Sequence, residues 1–162
     1  MKFLAFLLCL SPLLANAAIY KTGPVVLLQP EAVLQSKELS AAAVGEYMRA
    51  GDAAAAAVIK AAKLPPSGGF LVFAIRADGK TNAWTDFAPP LPRAVEEKLV
   101  KSLRALPAFH VASGSLLIAQ KVTVNGGPEP VTNLPNPAAW RAAAAGLKAP
   151  MPLEELVERA WP

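Results

Sequence analysis

The side chains with most chemical reach in this chain are one histidine, His110, one cysteine, Cys9, and the serines of Ser113-Gly114-Ser115. A lone histidine cannot build a histidine metal cluster, although it can serve as a general base. His110 follows Pro107-Ala108-Phe109, and no neighbour in sequence is placed to orient it. The plain reading is an exposed or hydrogen-bonded loop residue; the catalytic reading requires folding to bring a carboxylate such as Asp86 beside it. Ser-Gly-Ser makes an ordinary turn and lacks the Gly-x-Ser-x-Gly elbow of serine hydrolases. Neither a phosphate-binding Walker loop nor a dinucleotide fingerprint occurs. Glu96 and Glu97 are adjacent, so on a helix they point about 100° apart and do not form a catalytic pair. The sequence therefore assigns no catalytic residue, no metal ligand and no cofactor.

Binding chemistry has one candidate. Asn82, Trp84 and Asp86 alternate along an extended segment and so share one face, with Ala83, Thr85 and Phe87 on the other. An amide, an indole and a carboxylate in a row suit contact with a peptide or sugar, provided that Trp84 is exposed. The competing arrangement has the C-terminal segment covering this face.

The elements that must carry these residues follow from pattern. Phe70–Arg76 is apolar on both faces, as a covered central strand is. Ala77-Asp78-Gly79-Lys80 reads as a hairpin turn, with Asp-Gly supplying positive φ angles, and Thr81–Phe87 returns as a second strand. A helix is expected from about Arg93 to Leu106, with Val95, Leu99, Leu103 and Leu106 on one face and Pro107 as its stop. Ser115–Asn125 is a third strand, with Leu116, Ile118, Val122 and Val124 on one face. Upstream, Val25–Leu28 between Pro24 and Pro30 reads as an edge strand. The alanine-rich Ser40–Ala62 reads as two short helices divided at Gly51-Asp52, with Asp52 capping the second. Downstream, Glu129–Pro137 is irregular, and Ala138–Leu147 and Leu153–Trp161 are short helices.

Compartment is read from the N-terminus. Lys2, an apolar run from Phe3 to Leu10, and Ala15-Asn16-Ala17 have the form of a cleavable secretory signal. The run is too short and too proline-broken for a spanning helix, which needs roughly 20 apolar residues. Cys9 lies inside it, so cleavage leaves 162 − 17 = 145 residues without a thiol, a disulfide or a stable membrane anchor. The short signal and thiol-free domain fit a Gram-negative periplasm. A formal net charge of +4, spread thinly, argues against a nucleic-acid partner.

The order strand, Asp-Gly turn, strand, helix, strand across residues 69–125 resembles the C-terminal domain of the TonB family. The echoes are Phe-Leu-Val-Phe-Ala-Ile-Arg-Ala-Asp-Gly-Lys, the helix Ala-Val-Glu-Glu-Lys-Leu-Val-Lys-Ser-Leu-Arg-Ala-Leu, and Pro107-Ala108-Phe109 before the last strand. The resemblance implies a helix packed across a small antiparallel sheet, and an exposed sheet edge that pairs with a partner's strand. TonB-like transducers keep their anchor and carry a long proline-rich spacer; this chain is expected to lose the one and lacks the other.

The expected fold is α+β: a small antiparallel sheet with a ββαβ core packed by a helix, and helical extensions at both ends. The expected divisions are a signal at 1–17, an N-terminal segment at 18–68, the core at 69–127 and an irregular, helical tail at 128–162. The expected role is a periplasmic module binding another periplasmic protein or peptide by sheet-edge pairing. A small enzyme using His110 and a secreted inhibitor or immunity-type protein are the alternatives.

Overall fold

Ten consecutive residues of Ser67–Arg76 are extended, and nine of them are buried, because both faces of this strand are covered. It is the second of four strands in the computed structural model, which describes residues 19–132 and 134–161. The signal expected at 1–17 lies outside the described residues. The elements are β1 (Tyr20–Leu27), α1 (Glu31–Gln35), α2 (Ala41–Lys60), β2 (Ser67–Arg76), β3 (Thr81–Ala88), α3 (Arg93–Arg104), β4 (Ser115–Val124), α4 (Ala138–Ala144) and α5 (Leu153–Arg159). The sheet runs β1-β4-β2-β3 and every neighbouring pair is antiparallel. The α+β core of two strands, a helix and a third strand is as expected, and β1 adds a fourth strand outside β4.

Two apolar layers enclose the sheet. On one face Leu71, Phe73, Ile75, Leu116, Ile118 and Val122 pack against α2 and α3 through Tyr47, Ile59, Leu99 and Leu103. On the other, Phe70, Val72, Ala74, Trp84, Leu117 and Ala119 pack under the tail through Trp140 and Val157. Both faces of β2 and β4 are thus dry, which is why these strands read as nearly continuous apolar runs.

The β2–β3 turn differs in detail from expectation. Only Gly79 takes a positive φ, +81°; Asp78 does not. The Gly79 amide donates to the Arg76 carbonyl, and the Lys80 amide donates to Asp78 Oδ1 at 3.1 Å. This is a three-residue loop with one left-handed glycine, in which the aspartate contributes its carboxylate instead of an unusual backbone angle.

The alanine-rich region forms one helix of 20 residues, not two, and Asp52 lies in its middle instead of capping a second helix. Ser40 is the N-cap, its hydroxyl accepting from the Ala43 amide. Tyr47, Met48, Gly51, Ala55, Val58 and Ile59 lie on one buried face that runs through Gly51 without interruption. Gly51 sits against the Phe73 ring, where a Cβ would be 3.0 Å from Cζ. Burial of this whole face outweighs the glycine penalty of about 1 kcal/mol.

Candidate interaction edge

An antiparallel sheet exposes hydrogen-bonding groups only along its two outer strands, here β1 and β3. The two edges are treated differently by the rest of the chain.

On β3, the residues paired through hydrogen bonds to β2 include Asn82, Trp84 and Asp86, opposite Ala74, Val72 and Phe70. The backbone groups of Ala83 and Thr85 therefore face outward. Ala83 is capped on both groups: Asn82 Oδ1 accepts from its amide at 2.9 Å, and Arg104 Nε donates to its carbonyl at 3.3 Å. Arg104 reaches it from the last turn of α3, and partial burial draws its guanidinium below the usual arginine value. The Thr85 hydroxyl donates to Glu96 Oε1 at 2.5 Å. Glu97 instead pairs with Arg93 at 2.7 Å on the exposed side of α3, so the adjacent glutamates point apart as expected. A strand adding to β3 would have to displace both caps at Ala83.

The three residues Asn82, Trp84 and Asp86 share one face, and that face lies under the tail. Trp84 is 5% exposed, with its ring 5.8 Å from Trp140 and 6.1 Å from Trp161, both edge-on. Asp86 accepts from the Asn136 amide at 2.7 Å and lies 3.9 Å from Arg141. The condition for an open contact patch, an exposed Trp84, is not met: Asn82 caps the sheet edge, while Trp84 and Asp86 hold the tail. The Asn82 amide nitrogen is buried without a hydrogen-bond partner among the described residues.

The tail is further fastened by polar groups. Lys37, 2% exposed, donates to Glu154 Oε1 at 2.8 Å and to the Ser113 carbonyl at 3.3 Å. Gln29 Nε2 also donates to that glutamate, and its Oε1 accepts from the Leu117 amide. Ser115 donates to Glu158 at 2.8 Å, and Arg76 lies 3.3 Å from the same carboxylate and 5.1 Å over the Trp161 ring. The buried Lys37, which no sequence pattern singled out, is therefore part of the tail's attachment.

His110 is exposed in the loop before β4. Its neighbour Phe109 packs 5.4 Å from the Tyr47 ring on the α2 face, whereas the Asp86 side chain lies on the tail face. The sheet separates them, so folding does not bring His110 and Asp86 together. Among the described residues no three of His, Cys, Asp and Glu gather as metal ligands, and no helix is long and apolar enough to cross a membrane.

The β1 edge has a different character. The Asn125 amide donates to the Ile19 carbonyl and the Leu28 amide donates to the Leu117 carbonyl. Val26 and Leu28 thus turn their backbone groups toward β4, while Val25 and Leu27 turn theirs outward. No hydrogen bond among the described residues uses those outward groups. Val25 and Leu27 are also 43% and 45% exposed, two of the few large apolar side chains left at the surface. The register of β1 on β4 shifts between Thr22 and Val25, at Gly23-Pro24, so the regular open stretch begins after Pro24 and ends before Pro30. β1 covers the outer side of β4, the third strand of the ββαβ core, so the free edge is one strand further out.

Compared with protein-family models, curated proteins and solved structures, the chain matches none.

Proposed function

We propose that this protein is a periplasmic binding module that takes up a strand of a partner protein or peptide along the outer edge of β1. The observation that carries this reading is the contrast between the two edges: Ala83 on β3 is capped at both backbone groups, and Val25 and Leu27 on β1 are capped at neither. Main-chain hydrogen bonds to an open edge give affinity, and alternate side chains give selectivity. Val25 and Leu27 lie on the same side of β1 and supply an apolar contact for such side chains. The order β2, β3, α3, β4 is the one on which the resemblance to TonB C-terminal domains rests, and that family receives partner strands at a sheet edge. In this chain the partner strand adds to β1, because β1 already occupies the outer side of β4.

The test is Leu27→Pro. Proline removes the outward amide of residue 27 and leaves the β1–β4 ladder intact, since Leu27 does not donate into it. A partner retained from periplasmic extract by the wild-type protein should be lost on Leu27→Pro, with circular dichroism and melting unchanged. Retention of the same partner by a folded Leu27→Pro protein overturns edge pairing.

A further inference from the structure

The open stretch of β1 is self-complementary, and we propose that its occupant is β1 of a second copy, giving a two-fold dimer with a continuous sheet of two four-stranded halves. The inference rests on the edge-pairing reading above and names the partner.

Only two residues after the Gly23-Pro24 irregularity, Val25 and Leu27, present outward backbone groups, and they are two apart. One antiparallel two-fold register uses all of them: Val25 opposite Leu27 of the second copy, Leu27 opposite Val25, with the axis at Val26. Both half-exposed apolar side chains of each copy then meet on one face of the joined sheet. A two-fold contact requires one patch to be complementary to itself, and this patch is.

Charge agrees with this register. Antiparallel pairing lays the Lys21 end of one strand alongside the Glu31 end of the other, and both residues are exposed. A parallel arrangement would set Lys21 beside Lys21. The assembly also closes. A two-fold contact uses the open stretch of β1 in both copies at once, so pairing through this edge stops at two copies and does not grow into a filament. Pro24 and Pro30 bound the stretch and keep the contact small, which makes the dimer reversible and dependent on concentration.

Sedimentation of the purified protein over a concentration series tests the proposal. The wild type should show a reversible monomer–dimer equilibrium, and Leu27→Pro should weaken it by about tenfold or more, two symmetry-related hydrogen bonds being lost. Lys21→Glu should also weaken it, and adding Glu31→Lys to that variant should restore it. Should Leu27→Pro fail to fold, amide exchange on the wild type decides: the Val25 and Leu27 amides should slow as the protein is concentrated. A protein that stays monomeric up to about 1 mM, or a dimer unchanged in folded Leu27→Pro, overturns self-pairing. If the monomer's Val25 and Leu27 amides are nevertheless protected by a captured foreign partner, self-pairing falls and the edge-binding reading stands.

Discussion

Lys37 Nζ and Glu154 Oε1 are 2.8 Å apart, and the two side chains differ sharply in their access to water: 2% of the lysine is exposed against 39% of the glutamate. The pair joins the segment after α1 to α5, so it holds the tail as well as satisfying a buried cation.

That difference predicts unequal costs. Glu154→Ala strands a buried ammonium with the Ser113 carbonyl as its remaining partner and should cost about 2–3 kcal/mol, below the full penalty for a wholly buried pair. Lys37→Met leaves a carboxylate that water can solvate and should cost about 1 kcal/mol or less. Urea unfolding of both variants at neutral pH measures the difference, and equal losses would show that solvent screens the pair.

The two glycines of α2 should respond with opposite signs. A Cβ at Gly45 meets only the tip of Arg49 at 3.8 Å, so Gly45→Ala should stabilise by up to about 1 kcal/mol through helix propensity. A Cβ at Gly51 meets the Phe73 ring at 3.0 and 3.3 Å, and overpacking there should reverse the gain, for a net loss of about 1 kcal/mol. Thermal melting of the two single variants decides.

These cases also show what the sequence makes legible. β2, α3 and β4 carry their own evidence, because period-2 and period-3.6 apolar patterns and a Pro stop are local. The division of α2 at Gly51-Asp52 fails because what holds the helix together is Phe73, on a strand that local pattern does not connect to it. Alternation correctly set Asn82, Trp84 and Asp86 on one face. Which face lay under cover depended on a tail whose docking uses Lys37 and Gln29, distant in sequence from α5. Likewise the edge residues Val25 and Leu27 read as strand, but their openness follows from β1 pairing outside β4, a contact far apart in sequence.

Removing residues 138–162 should uncover the tail-side face and leave Trp84 as the single tryptophan, since the other two are Trp140 and Trp161. Its fluorescence should move to longer wavelength, and the protein should bind an apolar dye through Phe70, Val72 and Leu117. An unshifted emission would mean that Trp84 is shielded by something other than α4 and α5.

Stability should fall in alkali. Burial pushes the Tyr47 hydroxyl up to about 12 from 10, so it stays neutral in the folded protein while the unfolded chain ionises. The stabilisation is complete below pH 10 and is lost as pH rises toward 12, at about 1.4 kcal/mol per unit for this tyrosine. Tyr20, raised by burial and by Asp52, adds in the same direction. Tyr47→Phe, which removes a buried hydroxyl with no partner among the described residues, should flatten the decline and raise stability at neutral pH by about 1 kcal/mol. Denaturant midpoints measured from pH 8 to 11.5 test both statements.

The position of β1 also sets an order of events in biogenesis. Ile19 and Asn125, which close the end of the β1–β4 ladder, are 106 residues apart in the chain. Synthesis delivers β1 long before the strand it must join, and joining them closes a loop of most of the domain. The hairpin β2–β3 and helix α3 have partners close by and can settle first. During that interval the outer side of β4 is as open as the outer side of β1 is in the finished fold. Exchange of β1 between two molecules would preserve every β1–β4 pairing, since the two copies of the strand are identical.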